Sequence, residues 1–105
     1  MVLQHVLVAY RGAKRGPATV TRGKADAKAR AGEALAKLRT GADFDDIVKA
    51  YSDDQGSVDR RGLIGKVHKG DLDPAFSAAA FALRVGEVSD VIETPFGFHI
   101  IKRTQ

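Results

Sequence analysis

Cysteine is absent from the 105 residues, so the chain has no disulfide framework, no thiolate nucleophile and no cysteine-based zinc site, and the redox state of its compartment leaves no mark. Stability has to come from packing. Histidine is scarce, three in all, and no third ligand stands at suitable spacing from His5 and His99, so a metal centre is not expected. No apolar run approaches the roughly 18 residues of a membrane span, and the N-terminus has neither the basic start nor the cleavage site of a secretory signal. The expectation is a cytoplasmic protein without membrane contact. Basic residues interleaved with exposed aromatics are also missing, so the formal charge of +4 reads as that of an ordinary domain, with no specific nucleic-acid partner.

What is present suits one modest core. With 44% hydrophobic residues and no internal repeat, the chain fits a single domain over residues 1–105, with no room for a second. Residues 3–8 form a short apolar run whose alternate positions, Leu3, His5, Leu7 against Gln4, Val6, Val8, read as a strand buried on both faces. Residues 10–23 are basic and broken by Gly12, Gly16, Pro17 and Gly23, which predicts a long exposed loop. Ala27, Ala31, Ala34, Leu35 and Leu38 then fall on one helical face, with Asp26/Arg30 and Glu33/Lys37 as i,i+4 pairs, until Gly41 caps the helix.

Asp43 is the N-cap of a second helix carrying Phe44, Ile47, Val48 and Tyr51 on its core face. The pattern predicts a strand over residues 62–67, and Asp73-Pro74 opens a third helix that presents Phe76, Ala79, Ala80 and Leu83 and is closed by Gly86. Residues 91–94 and 98–102 make two strands joined by a tight turn at Pro95-Phe96-Gly97. The order strand, two helices, strand, helix, hairpin predicts an α+β domain with a mostly antiparallel sheet.

Taken singly, the chemistry-bearing residues are ambiguous. His5 and His99 on apolar strands read first as hydrogen-bonded core histidines. Asp54 reads equally well as a turn residue after the second helix, and Leu72 and Phe76 as ordinary core. The Asp43, Asp45, Asp46 cluster is explained by capping and the helix dipole.

Four separated phrases change that balance. They are His5-Val6-Leu7-Val8; Phe44 with Tyr51-Ser52-Asp53; Gly62-Leu63-Ile64-Gly65 with Lys69-Gly70-Asp71-Leu72-Asp73-Pro74-Ala75-Phe76; and Phe81-Ala82-Leu83 and Gly86-Glu87-Val88-Ser89 with Thr94-Pro95-Phe96-Gly97-Phe98-His99-Ile100-Ile101-Lys102. In this order and spacing, spanning nearly the whole chain, they resemble the parvulin family of peptidyl-prolyl cis/trans isomerases.

The resemblance implies a β-α-α-β-α-β-β domain in which a four-stranded, mostly antiparallel sheet is surrounded by helices and carries an apolar proline pocket. It implies an enzyme that accelerates rotation about X-Pro bonds in flexible or unfolding polypeptides, as a monomer and without a cofactor. The alternative within the same resemblance is a catalytically weak peptide-binding or chaperone module. Carried over by position, His5 and His99 are the paired histidines of the first and last strands, Thr94 hydrogen-bonds into that pair, and Asp54 is the acid beside the substrate carbonyl. Leu72, Phe76 and Phe96 grip the proline, flanked by Ile64 and Asp73. Lys14 and Arg15 fall where some relatives contact an acidic or phosphorylated residue, although Ala9 and Phe96 make this neighbourhood less cationic, which favours a mild acidic or neutral preference. The sequence departs from the family in having Leu72 where Met is common, Asp73 where Gln is usual, and Arg61-Gly62-Leu63-Ile64-Gly65 in place of a Gly-Gly-Asp-Leu-Gly phrase.

Overall fold

The structure, a computed structural model, describes residues 1–66 and 72–105. Val67 at the end of the expected second strand and the Lys69-Gly70-Asp71 phrase lie outside the described residues. The elements run β1 (Val2–Val8), α1 (Lys24–Arg39), α2 (Phe44–Tyr51), a single 3-10 turn (Val58–Arg60), β2 (Leu63–Lys66), α3 (Pro74–Phe81), β3 (Ile92–Thr94) and β4 (Gly97–Arg103). The strands form one sheet in the order β2-β1-β4-β3 with every neighbouring pair antiparallel, an α+β architecture.

Period-two alternation gives each central strand two distinct faces. One face of β1 and β4 contributes Val6, Val8, Phe98 and Ile100 to a core closed by Ala27, Ala31 and Ala34 of α1 and by Phe44, Ile47, Val48 and Tyr51 of α2. Alanines along α1 let that helix lie close to the sheet. The opposite face contributes Leu3 and Ile101, covered by Phe76, Ala80 and Leu83 from α3 and the residues after it. His5 and His99 belong to this second face.

The helix ends follow from local chemistry. The Asp43 carboxylate accepts the Asp45 N–H at 2.8 Å at the start of α2, and Asp73 accepts the Ala75 N–H at 2.9 Å ahead of Pro74 at the start of α3. Gly41, at φ +107°, ends α1 after Thr40 in the left-handed region that favours glycine. Gly62 is equally constrained: it sits at φ +74°, and a Cβ there would stand 2.4 Å from the His5 carbonyl oxygen.

Three expectations are corrected. α3 stops at Phe81 instead of running to Gly86, because the following backbone is drawn to β4: the Arg103 guanidinium donates to Leu83 O at 2.9 Å and the Gly86 N–H to Arg103 O at 2.6 Å. The Asp26/Arg30 and Glu33/Lys37 pairs do not close to ion pairs among the described residues, although Glu33 still attracts Lys37, since Tyr51 competes for Arg30, Lys37 and Glu33. Arg30 and Lys37 lie 4.6 Å and 5.2 Å from its ring centre, and its hydroxyl donates to Glu33 at 2.9 Å. The loop over residues 10–23 is exposed at its tip but not at its base, where Val20 is buried and Arg22 donates to Asp53 at 2.7 Å.

Candidate active site

Antiparallel pairing sets Leu7 opposite His99 and His5 opposite Ile101, so the two imidazoles lie diagonally on one face of adjacent strands. Their Nδ1 atoms approach to 3.3 Å. On the outer side His5 Nε2 meets Asp54 Oδ2 at 2.7 Å, and on the inner side His99 Nε2 meets Thr94 Oγ1 at 2.7 Å. The Phe96 N–H donates to the same threonine oxygen at 3.1 Å. A continuous chain of hydrogen bonds therefore crosses the sheet from Asp54 to the β3–β4 turn.

A consistent run of donors and acceptors satisfies every link. Asp54 is a carboxylate, so His5 Nε2 carries a proton and donates it; His5 Nδ1 then accepts from His99 Nδ1–H, and His99 Nε2 accepts from the Thr94 hydroxyl. The electrostatics agree. Burial, followed by the neighbouring His5, pushes His99 down to about 3, so its ring stays neutral at physiological pH. The His5 hydrogen bond, with a further one from Ser57, holds Asp54 well below the usual carboxylate range against the opposing effect of burial.

Above this chain lies an open cavity of about 410 Å³, lined by His5, Asp54, Ile64, Leu72, Asp73, Phe76, Thr94, Phe96 and His99, with Lys14 and Arg15 among the lining residues. Every site residue expected from the sequence borders this one cavity. Phe76 stands edge-on to both imidazoles, its ring centre 5.8 Å from His5 and 5.0 Å from His99. The Lys14 ammonium lies 5.3 Å from the centre of the Phe96 ring, and its backbone N–H donates to Pro95 O at 2.9 Å, tying the loop to the β3–β4 turn. Asp73 borders the cavity while its carboxylate also caps α3.

Ser57 and Asp53 were missed in the sequence. Ser57 is 1% exposed, and its hydroxyl donates to Asp54 Oδ2 at 2.5 Å, while the Gly56 N–H donates to Oδ1 at 3.2 Å. The local signal was available: an aspartate followed two residues later by glycine and three later by serine is an Asx-turn pattern. Asp53 borders the cavity, and its carboxylate accepts the Ala9 N–H at 2.9 Å at the end of the strand beside it.

The family model for the rotamase, PPIC-type PPIASE domain matches residues 5–105, and the chain belongs to that family. Over 79 residues it is 46% identical to the foldase protein PrsA of Bacillus subtilis, covering 74% of this chain and 27% of the relative. Among solved structures, the PPIase domain of TbPar42 superposes with a TM-score of 0.90 at 32% identity, over 99% of this chain and 98% of that one. A peptidyl-prolyl isomerase from Candida albicans gives 0.93 at 31% identity, over 99% and 62%. The chain spans 18% to 27% of the length of the curated relatives it matches.

Proposed function

We propose that the domain accelerates cis/trans rotation about X-Pro bonds in proline-containing polypeptides, with Asp54 acting on the substrate carbonyl and the histidine chain holding the cavity floor. The observation that carries this reading is the pairing of an apolar cavity, walled by Phe76, Leu72 and Phe96, with an ionised carboxylate at its edge.

Rotation breaks no covalent bond, so no nucleophile, metal or cofactor has to enter. Amide resonance opposes rotation by about 18–20 kcal/mol, whereas the two planar isomers of X-Pro lie close in energy. A catalyst must therefore favour the twisted amide over both. The twisted form has lost its charge separation and gives up less hydration on entering an apolar cavity. Burial of the proline ring against Phe76 and Leu72 contributes ~1–2 kcal/mol and makes the ring the pivot. Among the described residues, Asp54 Oδ2 is taken up by His5 and Ser57, whereas Oδ1 receives the Gly56 N–H alone. Its negative charge, left free on that side, opposes the negative charge that resonance places on the substrate oxygen, which weakens the partial double bond.

Monomeric action is part of the proposal: among the described residues the exposed large apolar side chains are Phe81 and Val85, too few for a stable dimer interface. The test is refolding of a proline-limited protein with the domain at catalytic amounts. Acceleration is expected; suppression of aggregation without acceleration would instead identify a chaperone module. Asp54→Ala should slow turnover ~10- to 100-fold while peptide binding survives. Unchanged turnover would remove Asp54 from the mechanism.

A further inference from the structure

β1 is longer than the strand beside it. β2 reaches only as far as Leu63 opposite Gln4, and the last backbone link to that side is His5 N–H to Gly62 O at 2.9 Å. Beyond it, the outer edge of β1 would be left with unpaired polar groups. They are taken up by the segment that follows α2. The Leu7 N–H donates to Ser52 Oγ at 3.2 Å, the Asp53 N–H to Leu7 O at 2.7 Å, and the Ala9 N–H to Asp53 Oδ2 at 2.9 Å. Residues 52–53 thus replace a strand, and Asp54, the next residue, is delivered to His5.

The same carboxylate oxygen reaches a second structure. Arg22 Nη1 donates to Asp53 Oδ2 at 2.7 Å and to Ala9 O at 3.0 Å, and the Arg11 N–H donates to Arg22 O at 2.8 Å. These bonds close the neck of the loop whose tip carries Lys14 and Arg15 to the cavity. The Asp53 and Arg22 side chains are 17% and 26% exposed, so the pair is shielded enough to exceed the small worth of a surface ion pair.

We propose that Asp53 is the positioning residue of this site: one carboxylate holds Asp54 against His5 through the backbone of residues 52–54, and holds the basic loop at the cavity mouth through Arg22. The proposal rests on the isomerase reading for its kinetic consequences, not for its geometry. Three variants separate its two arms. Asp53→Ala removes the acceptor for Ala9 and Arg22 together, and misplacement of Asp54 should lower kcat by ~10-fold or more. In an Asp54→Ala background the same change should add less than ~2-fold, because both act through one group. Asp53→Asn keeps an acceptor for Ala9 but loses the ion pair, and Arg22→Met loses the loop tie alone; both should raise KM by ~3-fold or more and affect kcat less.

The structural readout is nitrogen-15 NMR of the imidazoles at neutral pH. The His5 Nε2–H, sheltered by the Asp54 carboxylate, should give a slowly exchanging signal in the wild type, Asp53→Asn and Arg22→Met, and one broadened by exchange with water in Asp53→Ala. A folded Asp53→Ala with wild-type kcat and the same His5 signal overturns the proposal. So does an additive loss in the Asp54→Ala background. If Asp53→Ala does not fold, the KM of the other two variants decides, and an unchanged KM in both overturns it. Should the wild type accelerate no X-Pro rotation, the isomerase reading fails by itself, and the His5 spectra of these variants still test Asp53.

Discussion

The two faces of the central strands are built from neighbouring residues and do opposite things. On the helix-covered face, Val6, Val8, Phe98 and Ile100 are sealed beneath α1 and α2. One position along the chain, His5 and His99 point to the other face, where the eight-residue α3 covers Leu3 and Ile101, sets Phe76 against both imidazoles and leaves the cavity open beside them. A close-packed face fixes the strand positions to within the tolerance of an interior. The hydrogen-bonded face uses those positions to hold two imidazoles that would drift on a loop, and His5 in turn fixes the Asp54 carboxylate of the segment after α2.

That division can be broken from the sealed side. Ile100→Ala removes a side chain with 0% exposure at the centre of the helix-side core and should cost about 2–5 kcal/mol of stability. Turnover per folded molecule should stay within ~2-fold, because the opposite face of β4 keeps its register. Denaturant unfolding and activity measured on the same sample check both halves. A variant as stable as the wild type, or a folded one with turnover as low as Asp54→Ala, would show that the faces are not separable.

Acid should probe the open side. His99 is a base whose folded value is pushed down to about 3, from an ordinary 6.5. Between those limits the unfolded chain binds a proton that the folded chain refuses, so its contribution to stability is intact above pH 6.5 and declines as pH falls toward 3. The slope is at most about 1.4 kcal/mol per pH unit. Asp54 has the opposite chemistry and the same sense: its folded carboxylate is held below the ordinary 3.8, so its contribution begins to be lost only below about that pH. Stability measured between pH 7 and pH 4.5 therefore reports on His99 before Asp54 begins to protonate, and His99→Gln should flatten the curve there. A wild-type curve already flat over that interval would mean that the imidazole is not held neutral by burial.

Much of this architecture could be read before any coordinates. The 3.6-residue spacing of Phe44, Ile47, Val48 and Tyr51, the Asp73-Pro74 start and the Pro95-Phe96-Gly97 turn are local signals, and the local structure follows them. The alternation of Leu3, His5, Leu7 against Gln4, Val6, Val8 already divided β1 into the two faces now seen. What escaped depends on residues distant in sequence. Nothing near Arg30 or Lys37 announces that Tyr51 will attract both, and nothing near Leu83 announces Arg103 of the last strand. The meeting of His5 with His99 and Asp54 in one cavity came from family resemblance, since spacing alone left each of them an ordinary reading. Asp53 was hidden for a related reason: its partners Ala9 and Arg22 lie before the first helix, so its role appears only when the segment after α2 is laid along β1.

The smallest expected effect concerns the rim. Lys14 and Arg15 take part in no ion pair among the described residues, in contrast to Arg22, Lys24 and Arg39, so their charge is available to a substrate entering the cavity. Both are exposed, and solvent screens what they can offer. Lys14 is moreover held over Phe96, which leaves an apolar ring where a second cation would strengthen an anion site. In a panel of peptides varying the residue before proline, kcat/KM for glutamate should exceed that for lysine by ~2- to 5-fold, and the advantage should shrink as salt is raised. Phosphoserine should resemble glutamate. An advantage for phosphoserine of ~100-fold would instead mean that the loop builds a dedicated phosphate site, and that the open face is specified by its rim as much as by its floor.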